Sequence, residues 1–89
     1  MTRTAPATDI SEAVRKIVAQ HGRLAAGVAG LKDGSNLYDA GLTSLATVGL
    51  MLALENHFNV EFSEAMLGRK TFQSIESIAE ALGELTGEN

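Results

Sequence analysis

The stretch LYDAGLTSLATVGLMLALENHF, residues 37–58, decides the fold. Asp39 and Gly41 mark a tight turn. From Ser44 to Phe58 the spacing predicts a helix. At about 100° per residue, Leu50, Met51, Leu54 and Phe58 share one arc of roughly 100°, wide enough for a core-facing stripe. Leu45, Val48 and Leu52 make a second arc roughly 60° wide, centred about 140° from the first. One small core cannot receive both. Either the connection before the helix folds over the second arc, or that arc stays exposed for a partner, bordered by Ser44 and Glu55. Gly49 lies in the same helix, where a glycine costs about 1 kcal/mol relative to alanine. It is either simply tolerated or retained to let a partner backbone come close.

Outward from this helix the chain reads as all-α. Ile10, Val14, Ile17 and Val18 recur at helical spacing and predict a first helix over about 9–21. Thr8 or Asp9 is its expected N-cap, with Glu12 completing a capping box, and Gly22 its expected stop. The glycine-rich segment RLAAGVAGLKDGSNLYDAG argues against a continuous helix. A connection of that length is often functional, and Leu24, Val28, Leu31 and Leu37 are expected to pin it to the core. After Phe58, Ser63 can cap a single helical turn with Met66 and Leu67 turned inward. A last helix follows, capped by Thr71 or Ser74, with Phe72, Ile75, Ile78, Ala79, Leu82 and Leu85 as its stripe. The expected organisation is a disordered lead-in over 1–8 and a single domain over 9–86.

The composition excludes several functions. With 89 residues the chain holds one domain. Its net charge of −4 suits a basic protein partner and not nucleic acid. No apolar run is long enough to span a membrane, and MTRTAPATD lacks the apolar core of a signal peptide, so a cytoplasmic location is expected. The chain has no cysteine, which excludes disulfides and thiolate metal sites. Any thiol chemistry must come from an attached group. His21 and His57 stand in no triad or nucleophile-elbow context.

Ser44 opens the central helix. Alone, a serine there is most simply an N-cap, and Thr43 is equally suited to that role. The position also suits a phosphodiester, because a helix start offers free N–H groups and partial positive charge. The segment LYDAGLTSLATVGLMLALENHFNVEF resembles the signature of acyl carrier proteins. Asp39, Gly41, Ser44, Leu45, Leu54, Glu55 and Phe58 occupy the family's places. The likeness continues through FSEAML and TFQSIESIAEAL and covers about residues 9–85.

The resemblance implies an all-α, small four-helix bundle with a long first loop and a short third helix. It implies that Ser44 carries 4′-phosphopantetheine, donated from coenzyme A by a phosphopantetheinyl transferase. The protein then has no catalytic residues or metal of its own and acts as a monomer. Its arm would carry an acyl or aminoacyl thioester to downstream enzymes that recognise Leu45, Val48, Gly49, Leu52 and Glu55. Two departures from fatty-acid carriers are visible. Thr43 stands where those carriers have Asp, and Ala46, Gly49 and Asn56 stand where they have acids. The sequence is closer to aminoacyl carrier proteins, which are loaded by ligases resembling aminoacyl-tRNA synthetases. The alternatives are a carrier of fatty-acid or polyketide type, and an unmodified helical interaction domain in which Ser44 is only a cap.

Overall fold

The computed structural model describes residues 6–24 and 27–87, with side chains from Ile10 onward. Three α-helices and one turn of 3-10 helix follow one another: α1 (Pro6–His21), α2 (Ser44–Phe58), the 3-10 turn Glu64–Met66, and α3 (Ile75–Thr86). Among the described residues there is no strand, and no helix is long and apolar enough to cross a membrane. The all-α class therefore holds. The expected short third helix is only the 3-10 turn. Helix α1 packs against both α2 and α3.

Helix α1 begins at Pro6, about one turn before the expected start. Thr8 and Asp9 lie inside it, so neither is its cap. Proline suits a first helical position, because its φ is preset and its missing N–H is one that the helix cannot use. Pro6 to Thr8 of the expected lead-in are thus helical, and residues 1–5 lie outside the described part. Ile10, Val14, Ile17 and Val18 are buried as their spacing requires. Gly22 ends the helix by donating its N–H to the Val18 carbonyl at 2.7 Å, and a Cβ there would sit 2.7 Å from that same oxygen. The left-handed residue is Arg23, with φ 56°.

Among the described residues, the long connection leaves the outer face of α2 uncovered, with Leu45, Val48 and Leu52 exposed. Leu24, Val28 and Leu31 rest against the core, while Leu37 and Leu42 are buried within it. Polar bonds hold the connection to α1 and to the start of α3. Arg15 of α1 donates from Nη1 to the Val28 carbonyl at 2.9 Å and from Nη2 to Asp33 Oδ1 at 2.8 Å. The Asp33 carbonyl accepts from Glu76 N at 2.8 Å, and Leu37 N donates to the Gln73 carbonyl at 2.7 Å. The start of α3 therefore serves as a rail for the connection.

Helix α2 buries Ala46, Leu50 and Leu54. Met51 and Phe58, which the sequence places in the core stripe, are only partly buried. The buried line is rotated by roughly 50° from the expected arc, towards Ala46. Asn59 closes the helix in the left-handed conformation, φ 57°.

After α2, Phe62 rather than Leu67 supplies the buried side chain. Phe62 packs edge-on against Phe72 with centroids 5.3 Å apart, whereas Leu67 is 46% exposed. Met66 turns inward as expected. Ser63 precedes the 3-10 turn without a side-chain capping bond. A turn of three residues cannot bury two neighbours on one side. Helix α3 is capped by Ser74, not Thr71. Ser74 Oγ accepts from Ser77 N at 3.0 Å, and Ser77 Oγ accepts from Ser74 N at 3.0 Å. Ile75, Ile78 and Leu82 are fully buried, and Gly87 (φ 76°) ends the helix.

This packing separates two kinds of leucine. Leu54→Ala is expected to lower stability by about 2–5 kcal/mol, as a core truncation. Val48→Ala and Leu52→Ala should stay within about 0.5 kcal/mol. Urea unfolding of the three variants measures the difference, and equal losses would show that the outer arc is core.

Candidate functional site

The site is built by the turn that ends at Ser44. Asn36 Oδ1 accepts from Asp39 N at 3.0 Å. Ala40 N donates to the Asn36 and Leu37 carbonyls, and Leu42 N returns to the Leu37 carbonyl at 2.9 Å. Gly41 has φ 116°, a conformation that side-chain-bearing residues rarely adopt. Buried Leu37 and Leu42 hold the two ends of the turn in the core. The guanidinium of Arg69 stacks 3.9 Å above the Tyr38 ring, which ties the segment after the 3-10 turn to this same turn.

Thr43 and Ser44 divide the work at the helix start. Thr43 is extended (φ −99°, ψ 165°) and its side chain caps α2, Oγ1 accepting from Ala46 N at 3.0 Å. Its carbonyl accepts from Thr47 N at 2.9 Å and from Thr47 Oγ1 at 2.7 Å. Ser44 is the first helical residue and is exposed. Among the described residues its hydroxyl makes no hydrogen bond, and the N–H groups of Ser44 and Leu45 have no partner. The first turn of α2 carries no acid. The positive end of the helix therefore has no neutralising side chain within its own first turn.

The remaining candidate residues fall into two groups. Leu45, Val48 and Leu52 are 83%, 51% and 55% exposed. Gly49 is exposed among them, with nothing within 4 Å of an added Cβ. No ionisable residue occurs from Ser44 to Leu54. Glu55 differs from these four. It is half-buried, and its Oε2 accepts from Phe62 N at 2.9 Å, so this carboxylate fastens the turn after α2. Nothing in the local sequence announces that bond, since Phe62 is seven residues away.

Hydrolytic chemistry has no support in this arrangement. His57 lies in the last turn of α2, thirteen residues from Ser44, or about 20 Å along the axis. His21 ends α1. Among the described residues no three His, Cys, Asp or Glu side chains gather to hold a metal. A free hydroxyl at the positive end of a helix, beside a neutral apolar face, is chemically suited to carry an attached group.

The family described as phosphopantetheine attachment site matches residues 12–82. The chain belongs to this family of acyl and aminoacyl carrier proteins, whose prosthetic group is 4′-phosphopantetheine. The aminoacyl carrier protein of Agrobacterium fabrum (strain C58 / ATCC 33970) is 42% identical over 69 residues, which cover 78% of this chain and 83% of the relative. Similar solved structures include the carrier protein from Agrobacterium tumefaciens, complexed with an engineered Bradyrhizobium japonicum glycine:[carrier protein] ligase and ATP. That match has a TM-score of 0.82 and 38% identity, over 85% of this chain and 99% of that one. A second is the complex of the Bradyrhizobium japonicum ligase with its cognate carrier protein and an analogue of glycyl adenylate. There the TM-score is 0.67 and the identity 28%, over 90% of this chain and 99% of that one.

The site fits the prosthetic group. A phosphodiester needs a free hydroxyl for its linkage and hydrogen-bond donors for its oxygens, and the start of α2 presents both. The division of labour at this helix start has a measurable consequence. Thr43→Ala should cost about 1 kcal/mol as the loss of an N-cap, whereas Ser44→Ala should stay within about 0.5 kcal/mol. Thermal unfolding of both variants measures this, and the reverse order would make Ser44 the cap.

Proposed function

We propose that this chain is an aminoacyl carrier protein. Ser44 bears the 4′-phosphopantetheine, placed there by a phosphopantetheinyl transferase. An amino acid:carrier protein ligase resembling an aminoacyl-tRNA synthetase loads the cargo, and downstream enzymes take it up. The observation that carries the proposal is the Ser44 hydroxyl, exposed and free because Thr43 performs the capping. When bound, the group supplies a terminal thiol that holds the cargo as a thioester. No residue of the chain can supply that thiol.

The chain's own residues orient the attachment and present it. Ser44 offers the oxygen for the linkage. The unpartnered N–H groups of Ser44 and Leu45 suit the phosphodiester oxygens. Gly41 permits the turn its φ of 116°, and the buried pair Leu37 and Leu42 anchors the two ends of it in the core. Leu45, Val48 and Leu52 give the partner an apolar face beside it. The aminoacyl cargo is favoured over a fatty acyl cargo by two observations. The relatives described above include an aminoacyl carrier protein and carriers complexed with a glycine ligase. The Ser44–Leu54 segment also lacks the acids that fatty-acid enzymes grip.

Coexpression with a phosphopantetheinyl transferase should raise the intact mass by one phosphopantetheinyl group. Ser44→Ala should abolish the gain with the helical circular dichroism unchanged. The modified wild type should accept an amino acid from such a ligase and should be a poor substrate for fatty-acyl loading. Efficient fatty-acyl loading without aminoacyl loading by any candidate ligase would return the chain to the ordinary acyl carriers.

A further inference from the structure

Between His21 and Ser44 the connection contains short turns, each closed on itself. Leu31 N donates to the Val28 carbonyl and Ser35 N to the Lys32 carbonyl, both at 3.0 Å. Such bonds shape a turn without fixing where it sits on the body. One guanidinium spans both turns. Arg15 Nη1 donates to the Val28 carbonyl and Nη2 to Asp33 Oδ1. Among the described residues these are the only side-chain bonds between the connection and α1. Asp33 is where two supports meet. Its carboxylate pairs with α1, and its carbonyl accepts from Glu76 N, one of the N–H groups that a helix start leaves free. Further along, Leu37 N donates to the Gln73 carbonyl, and the Leu37 carbonyl accepts from Leu42 N. Leu42 leads directly to Thr43, the cap of α2, and to Ser44.

We propose that Arg15 is a positioning residue for the transfer of phosphopantetheine to Ser44, acting through Asp33 on the attachment turn. The inference rests on the modification of Ser44 proposed above and adds a remote residue that governs its efficiency. In that transfer Ser44 Oγ forms a bond to a phosphorus of coenzyme A. The bond from that phosphorus to the adenosine bisphosphate leaving group breaks, and the hydroxyl proton passes to a base of the transferase. The attacking oxygen must stand in line with the breaking bond, so the placement of the turn matters. Burial of Leu37 and Leu42 keeps the turn in the core but is non-directional. Its register along the start of α3 is set by the directional bonds at Asp33 and Leu37. Arg15 fixes the first of these, and its planar fork also sets the spacing of Val28 and Asp33, which a single ammonium could not do. The pair is largely open to water, with side chains 30% and 55% exposed, so it contributes little to global stability. Placement and stability are therefore separable at this residue.

Unmodified full-length protein, coenzyme A and a phosphopantetheinyl transferase supply the test, with the rate of modification measured against carrier concentration. Arg15→Ala should raise KM about fivefold with kcat nearly unchanged, because only the fraction of carrier with a correctly placed turn falls. Its melting temperature should drop by no more than about 4 °C. In the free variant, hydrogen exchange at the Leu37 and Glu76 amides should quicken about fivefold, while Ile78 and Leu82 keep their protection. Asp33→Ala should raise KM equally, and the double variant no further, since the two residues act as one unit. Arg15→Lys should fall between wild type and Arg15→Ala, its ammonium able to pair with Asp33 alone. Lys16→Ala removes a neighbouring charge of α1 and should keep the wild-type KM. A wild-type KM in Arg15→Ala would overturn the positioning role and leave the modification of Ser44 standing. Additive losses in the double variant, unchanged exchange at Leu37 and Glu76, or an equal loss in Lys16→Ala would each overturn it as well. A wild type that the transferase does not modify would overturn the reading of Ser44 and the positioning role with it.

Discussion

The burial of Ala46, Leu50 and Leu54 along one line of α2 is the constraint from which the site follows. These residues recur every four positions, so the helix can turn only one side to the core. Once that side is fixed, Leu45, Val48 and Leu52 must face away, whatever their hydropathy. Leaving three aliphatic side chains in water forgoes burial energy that the fold could have used, and such an arrangement is typical of a surface reserved for a partner. The same rotation brings the helix start, with Ser44, to the surface.

A free helix start would be of little use on a mobile segment, and the fold prevents that. The connection before α2 is held at Val28 and Asp33 by Arg15, and at Asp33 and Leu37 by the start of α3. Leu37 and Leu42 then anchor the last turn. Glu55 and Phe62 perform the matching task behind the helix, where a carboxylate and a backbone N–H close the exit. Polar bonds thus fix both ends of α2, while its outer face keeps no polar obligation within the fold.

Much of this was legible in the sequence because it depends on local periodicity. The stripes of α1 and α3 and the two-sided character of α2 follow from spacing, whereas the exposure of Leu45, Val48 and Leu52 is one of two outcomes that spacing leaves open. The turn at Gly41 was legible from its residue types. What escaped was long-range. Arg15 reaches residues thirteen and eighteen positions away, and Glu55 reaches Phe62, so no local pattern reports either bond. The core line of α2 was misplaced by half an arc because alanine carries too little hydropathy to advertise Ala46. The start of α1 was placed late because Thr8 and Asp9 look like caps, while Pro6 is equally able to open a helix. The inward turn expected of Leu67 failed: Phe62 is the side chain buried against Phe72, and Leu67 stays exposed.

On the proposed function, the protein is a rigid platform modified at one exposed hydroxyl, that of Ser44. Amide chemical shifts of the 15N-labelled protein, before and after enzymatic pantetheinylation, test it most directly. Changes are expected to concentrate at the amides of Ser44 and Leu45 and to fall off along the first turns of α2. Leu50, Leu54, Ile78 and Leu82 should keep their shifts. Unchanged Ser44 and Leu45 amides in a fully modified protein, or shifts spread through the core, would contradict it.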